Sequence, residues 1–322
     1  MQTLPPIDWG LARRISGSTS GELPVVTRPE AHALVASLRL AAQRAGELVA
    51  KVSGMPGEPA RRLIVSDRAT WARGATAMAS AALDELSLPA PSGPMRGLRA
   101  MGHGALAGVG LGWVGRQLLG QFDPATSTLF LLAPNILQLQ RAHGFVMADF
   151  QLWVAAHEQT HAFQFSAAPW LSEHLMQRFE TVAVDDVGGF EVMRGVARGR
   201  GLAASMTSPS AQQALQEVTA TMTLLEGHAD FVSDKLGTRH IPTVRRLRRA
   251  FSRNHPTTAL ARLIPATDKN AQYRDGLAFC RAVSIKAGRT ALNRAFESPE
   301  NLPRPEEISE PIAWLRRVHG TA

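Results

Sequence analysis

Apolar residues recur at helical spacing over much of the chain. Leu34, Val35, Leu38, Leu48, Val49 and Val52 follow Thr27-Arg-Pro-Glu30, a capping box with proline just inside the helix start, and Gly54 supplies the stop. Leu63-Ile-Val65 reads as a short strand, and Asp67 as the cap of a helix running through Trp71 to about Leu86. Leu88-Pro-Ala-Pro-Ser-Gly-Pro94 has the composition of a linker. A glycine-spotted apolar segment spans about Leu98 to Leu119. Gly120-Gln-Phe-Asp-Pro-Ala-Thr-Ser127 reads as a turn into Thr128-Leu-Phe-Leu-Leu-Ala133, the clearest strand signal in the chain.

Beyond Asp149 the pattern is again helical. One helix is expected from about Phe150 to Phe165. Ser210-Ala-Gln-Gln213, just after Pro209, reads as a capping box opening a long helix that ends at Gly237. Leu215, Val218, Met222, Leu225, Ala229, Val232 and Leu236 form its apolar stripe. No repeat at a solenoid period is visible. The expected fold class is α+β, predominantly α-helical, with a small sheet. The division expected is a helical N-terminal part, residues 1–120, and a part from 121 to 322, joined as one integrated unit.

Composition narrows the function classes. With 45% apolar and 19% charged residues in 322, the chain is an ordinary globular protein rather than a disordered one. Its single cysteine, Cys280, excludes an internal disulfide and a cysteine-built zinc site. The N-terminus lacks the pattern of a secretory signal, so the cytoplasm is the expected location. The longest apolar run, Met101 to Gly120, is broken by His103 and Arg116, and no membrane span is expected. The net charge of +8 is carried mainly by arginine without interleaved aromatics, so no nucleic-acid partner is expected. Arg245-Arg-Leu-Arg-Arg249 reads as a solvated helix face rather than a phosphate grip.

The chemistry concentrates in His157-Glu-Gln-Thr-His161. Histidines four apart stack on one helix face, so both imidazoles can reach one ion. Neutral imidazoles at about 2.0–2.1 Å suit zinc, and Zn2+ is the cofactor expected. Glu158, one step after the first histidine, is placed to act as general base on a zinc-activated water. In a chain with ten histidines such a match arises by chance on the order of one or two per cent of the time. A further ligand shortly after His161 is missing, since Ala167 and Leu171 stand where the metzincin pattern would continue.

Leu225-Glu-Gly-His-Ala-Asp230 offers the alternatives. Glu226 and Asp230 share a helix face, and the pair resembles the E-x-x-x-D arrangement of gluzincin metallopeptidases. There the glutamate ligates zinc and the aspartate accepts a hydrogen bond from a ligating histidine. His228 competes but points roughly 200° away from Glu226. A solvated stripe with Thr219, Thr223 and Ser233 is the bland account of the same carboxylates.

Several lesser candidates carry their own rivals. Tyr273, the only tyrosine, could hold an oxyanion, as could Arg274 or His174; each could equally be structural. Thr128 to Ala133 could be an edge strand to which a peptide adds, or an internal strand. Gly110-Leu-Gly-Trp-Val-Gly115 matches a dinucleotide pattern, but no strand precedes it and no acidic residue follows at the required distance. Glycines at 104, 108 and 112 fit close helix packing better.

Blocks along nearly the whole chain resemble a known family. They include Ile7-Asp-Trp9, Val65-Ser-Asp-Arg-Ala-Thr-Trp71, Leu119-Gly-Gln-Phe-Asp-Pro124, Leu132-Ala-Pro-Asn135 and Asp149 through His161. Gln164-Phe165, Pro169-Trp-Leu171, Gln272-Tyr-Arg-Asp-Gly276 and Glu297-Ser-Pro-Glu-Asn-Leu-Pro303 continue the series. They resemble the actinobacterial zincin-like metalloproteases, some of which are associated with deazaflavin coenzyme biosynthesis. The resemblance implies a zincin-like fold, His157, His161 and Glu226 as zinc ligands, Glu158 as the catalytic carboxylate, and peptide or protein as substrate. The alternative is a non-catalytic zincin-fold accessory or scaffold protein in cofactor metabolism.

Overall fold

The computed structural model of the chain describes residues 6–85, 95–185, 208–254 and 269–320. The linker expected at Leu88–Pro94 lies outside them. Helix α1 covers Trp9–Ser18 and α2 covers Arg28–Ser53. The Thr27/Glu30 capping box is formed, and Gly54 closes α2 in the left-handed conformation at φ 62°. Strand β1 is Arg62–Ser66. Helix α3, Arg68–Glu85, begins where the Asp67 carboxylate accepts from the Thr70 amide at 2.7 Å. Helix α4 is Arg96–Gly115. Its glycines 104, 108 and 112 lie where a Cβ would strike Asp8, Ala12 and Thr19, so α1 packs directly on its backbone.

Gly120–Asp123 forms strand β2, which corrects the turn expected there. Only Phe122 is a strong apolar residue in these four, too short a segment to show alternation. Strand β3, Thr128–Leu132, pairs parallel with β1 and antiparallel with β2 in the order β1-β3-β2. β3 is therefore internal, not an edge, because β1 and β2 occupy both its sides. Its alternate residues feed two cores, as a period of two requires. Leu129 and Leu131 join the main core with α2 and a later helix, whereas Phe130 and Leu132 join Trp71 of α3 and Val114 of α4.

Helix α5, Ala133–His143, follows β3 without a gap. Helix α6 is Met147–Ala167 and α7 is Leu171–Asp185. α6 is buried from Asp149 to Gln164, with Gln159 donating to the Ala42 carbonyl of α2 at 3.1 Å. Helix α8 is Pro209–Lys235. Its cap is Ser208, not Ser210: Pro209 lacks an N–H and fits the first helical turn, so Ser208 Oγ accepts from the Ala211 amide at 3.3 Å. A helical turn at Gly237–His240 precedes α9, Val244–Asn254. Helix α10, Lys269–Asn293, is interrupted at Gly288, and α11 is Pro311–His319. The fold is α+β, mainly helical with one small sheet. Among the described residues no helix is long and apolar enough to cross a membrane.

Candidate metal centre

Two helices build the site. On α6, Trp153, His157 and His161 are four residues apart and form one row. On α8, Asp234, Asp230 and Glu226 form a second row running the opposite way. Four ring-to-carboxylate contacts join the rows. Trp153 Nε1 lies 3.5 Å from Asp234 Oδ1, and His157 Nδ1 lies 3.1 Å from Asp230 Oδ1. His157 Nε2 lies 3.2 Å from Glu226 Oε2, and His161 Nε2 lies 3.5 Å from Glu226 Oε1. One ligand atom from each of His157, His161 and Glu226 falls within 4.8 Å of the others. Glu226 is only 3% exposed, which rules out the solvated-stripe account of this carboxylate.

The donor set fits a divalent cation. Asp230 takes Nδ1 of His157, and Gln164 Oε1 takes Nδ1 of His161 at 2.8 Å, so each ring can present the Nε2 lone pair toward Glu226. His161 Nε2 is buried with no hydrogen-bond partner, as is Oε2 of Glu158. Two imidazole nitrogens and one carboxylate oxygen are a zinc donor set with room for a fourth ligand.

Electrostatics follow from burial and from the carboxylates. Burial alone would lower the His157 pKa, but the hydrogen bonds and charges of Asp230 and Glu226 push it up to about 10. Burial pushes Glu158 up to about 8; His157 opposes the shift and Glu226 adds to it. Burial lowers His161, and the nearby Glu226 offsets that only in part. Burial would raise Asp230, but the Arg248 guanidinium and His157 hold it well below the usual carboxylate range.

The remaining sequence candidates are placed as follows. Glu158 packs against β2, where a Cβ on Gly120 would stand 2.6 Å from its Cγ. His228 is outside the cluster: its Nδ1 lies 3.1 Å from Gln164 Nε2 and its ring packs on Phe296 and Phe231. Burial, with His161 adding to it, lowers its pKa to about 3, so it stays neutral. His174 packs edge-on against Trp170, with its centroid 5.9 Å away. The side chains of Tyr273 and Arg274 lie outside the described residues. The glycines of 110–115 lie within α4, not in a loop between strand and helix.

Sequence reasoning missed two residues. Gln164 stands three after His161 and so shares its face, and its Nε2 also donates to the Leu225 carbonyl at 2.8 Å. The arginine run predicts a solvated face that includes Arg248. Arg245, Arg246 and Arg249 are exposed, but Arg248 turns inward onto Asp230 and Asp234, because α9 crosses the end of the carboxylate row.

A mainly helical scaffold thus brings two histidines and a glutamate from facing helices together as a candidate metal site. Residues 7–315 match the family described as Zincin-like metallopeptidase, and the chain belongs to that family. No curated protein matches the chain. A crystal structure from Chloroflexus aurantiacus, described provisionally as a hydrolase with a novel fold, is 25% identical. It superposes with a TM-score of 0.71, covering 98% of this chain and 100% of that one. Family, neighbour and donor cluster together support a zinc hydrolase.

Proposed function

We propose that the chain is a gluzincin-type zinc metallopeptidase acting on a peptide or protein substrate. The observation that carries this reading is the convergence of His157, His161 and Glu226 ligand atoms within 4.8 Å. A zinc ion held there supplies the Lewis acid that makes water nucleophilic near neutral pH. Glu158, one residue from the first ligand and with a buried, unpartnered Oε2, takes the proton from the attacking water and delivers it to the leaving amine. Asp230 holds the His157 ring through Nδ1, and Gln164 does the same for His161. Tyr273 is retained as the proposed oxyanion donor.

The substrate would lie along β2. The Leu132 amide donates to the Leu119 carbonyl, so 119, 121 and 123 face β3 while the N–H and C=O of Gly120 and Phe122 point off the edge that no described strand occupies. Gly120, at the start of β2, stands beside Glu158 of α6. Phe122 lines a cavity of about 590 Å³ shared with Ala162 and Phe165 of α6, which is suited to a substrate side chain. On this reading the protein works in the cytoplasm and needs neither nucleic acid nor membrane.

The test combines elemental analysis with a peptide-library screen, run with and without chelator. His157→Ala should lose zinc, and Glu158→Gln should keep zinc while turnover ends. Unchanged zinc in His157→Ala would remove the site from this motif. Bound zinc with no cleavage of any peptide would favour an accessory role for the protein instead.

A further inference from the structure

We infer that Arg248 is a positioning residue for the zinc site, holding Asp230 and, through it, the His157 ring in the orientation that metal binding requires. The inference rests on the zinc reading above.

The geometry divides the Asp230 carboxylate between two tasks. Its Oδ1 faces His157 Nδ1 at 3.1 Å, and its Oδ2 faces Arg248 Nη1 at 2.6 Å. A rotation of the carboxylate that favours one contact weakens the other, so the guanidinium fixes the plane in which Oδ1 meets the ring. Arg248 is itself fixed. Its Nε reaches both oxygens of Asp234 at 3.0 and 2.9 Å, and Cζ stands 5.0 Å from the centroid of the Trp153 ring. Trp153 is one helical turn before His157, and Asp234 one turn after Asp230. The arginine thus ties the row on α6 to the row on α8 from a third helix, α9.

Charge explains why an arginine is needed here. Asp230 and Asp234 are carboxylates one turn apart, with side chains only 17% and 16% exposed. Neighbouring buried anions of this kind need a cation between them. Arg281 also reaches Asp234 Oδ2 at 2.9 Å, but it is half exposed and its ion pair is with Asp234 alone of the two carboxylates. A lysine would bring the charge without the planar fork that serves two carboxylates and stacks on an indole. The Arg245–Arg249 run therefore contains one residue of a different kind: three arginines face solvent and one faces the metal site.

The test is the zinc dissociation constant from chelator competition, measured on the full chain. It compares wild type with Arg248→Met, Arg248→Lys and Arg246→Ala. Arg246 lies on the same helix and donates to the His143 carbonyl at 2.8 Å, so its variant reports general damage to α9. Loss of an outer partner of a metal-binding histidine weakens metal affinity about 10–100-fold. That loss is expected in Arg248→Met, with about tenfold or more in Arg248→Lys and no comparable change in Arg246→Ala. The visible spectrum of the cobalt-loaded protein should shift in both Arg248 variants, because the His157 ring would no longer be held in place. Where Arg248→Met fails to fold, Arg248→Lys decides. If that also fails, Arg248→Gln, which keeps a polar side chain without the guanidinium, decides by the same two readouts. Wild-type affinity and an unaltered cobalt spectrum in the deciding variant would overturn the inference. A wild-type protein that binds no zinc would instead overturn the reading beneath it.

Discussion

Gly227 and Gly276 mark the place where α8 and α10 meet backbone to backbone. A Cβ on Gly227 would stand 2.1 Å from the Gly276 carbonyl carbon and 2.5 Å from its oxygen. Carbon atoms in ordinary contact lie about 3.5–4.0 Å apart, so Gly227→Ala requires α10 to retreat by on the order of 1 Å. The obstacle is main chain and cannot rotate away. Overpacking of this kind costs about 1–3 kcal/mol, and a backbone obstacle puts this case near the top of that range. Alanine in a helix interior returns about 0.5–1 kcal/mol, leaving a net loss of about 2 kcal/mol. At roughly 2–4 °C per kcal/mol, Tm should fall by about 4–8 °C. Gly227 adjoins Glu226, so the retreat should also weaken zinc binding. Thermal unfolding of the chelator-treated protein measures the first effect, with Gly110→Ala as control. Gly110 lies within α4 with nothing within 4 Å of its added Cβ, and its replacement should stabilise by about 0.5–1 kcal/mol. A Gly227→Ala protein as stable as wild type would refute the close crossing of the two helices.

Two further outcomes follow from the site. Gly120→Ala places a methyl 2.6 Å from Glu158 Cγ, a flexible side chain that can move; zinc content should hold while turnover falls about 10²-fold or more, and undiminished turnover would show that Glu158 needs no such room. In chelator-treated protein, Glu158 is raised from 4.5 to about 8 and His157 from 6.5 to about 10; because His228, lowered from 6.5 to about 3, offsets Glu158 below about pH 6.5, the excess of protons that Glu158 and His157 give the folded chain shows above that pH. Their stabilisation is complete below the unfolded values and is lost as pH rises through the folded ones, so Tm should decline from about pH 6.5 to about pH 10. Because zinc must displace the His157 proton, apparent affinity should rise about tenfold per pH unit over the same interval, measured by chelator competition; a flat profile would contradict proton release from this ring.

What could be read from the sequence is what helical spacing encodes by itself. The Thr27/Glu30 box, Gly54 and Asp67 set helix ends through contacts three or four residues long, and they stand where their residue types require. The pairs His157/His161 and Glu226/Asp230 were visible because each lies four apart on one helix. The docking of those two rows was not encoded in either. It depends on α8 lying antiparallel to α6, which no spacing within one segment records. β2 escaped notice for a related reason. Gly120–Asp123 has too few apolar residues to alternate, and it becomes a strand through its register with β3. Ser208 lost to Ser210 in the sequence because a capping box is a pattern, whereas the true cap was decided by the missing N–H of Pro209. Arg248 is the fullest case. In a run of five residues with four arginines nothing distinguishes it, and only the crossing of α9 over Asp230 and Asp234 turns this side chain inward. The chemistry of the site is thus written locally in two helices, while the residue that holds their rows in register comes from a third and takes its meaning from where the chain returns.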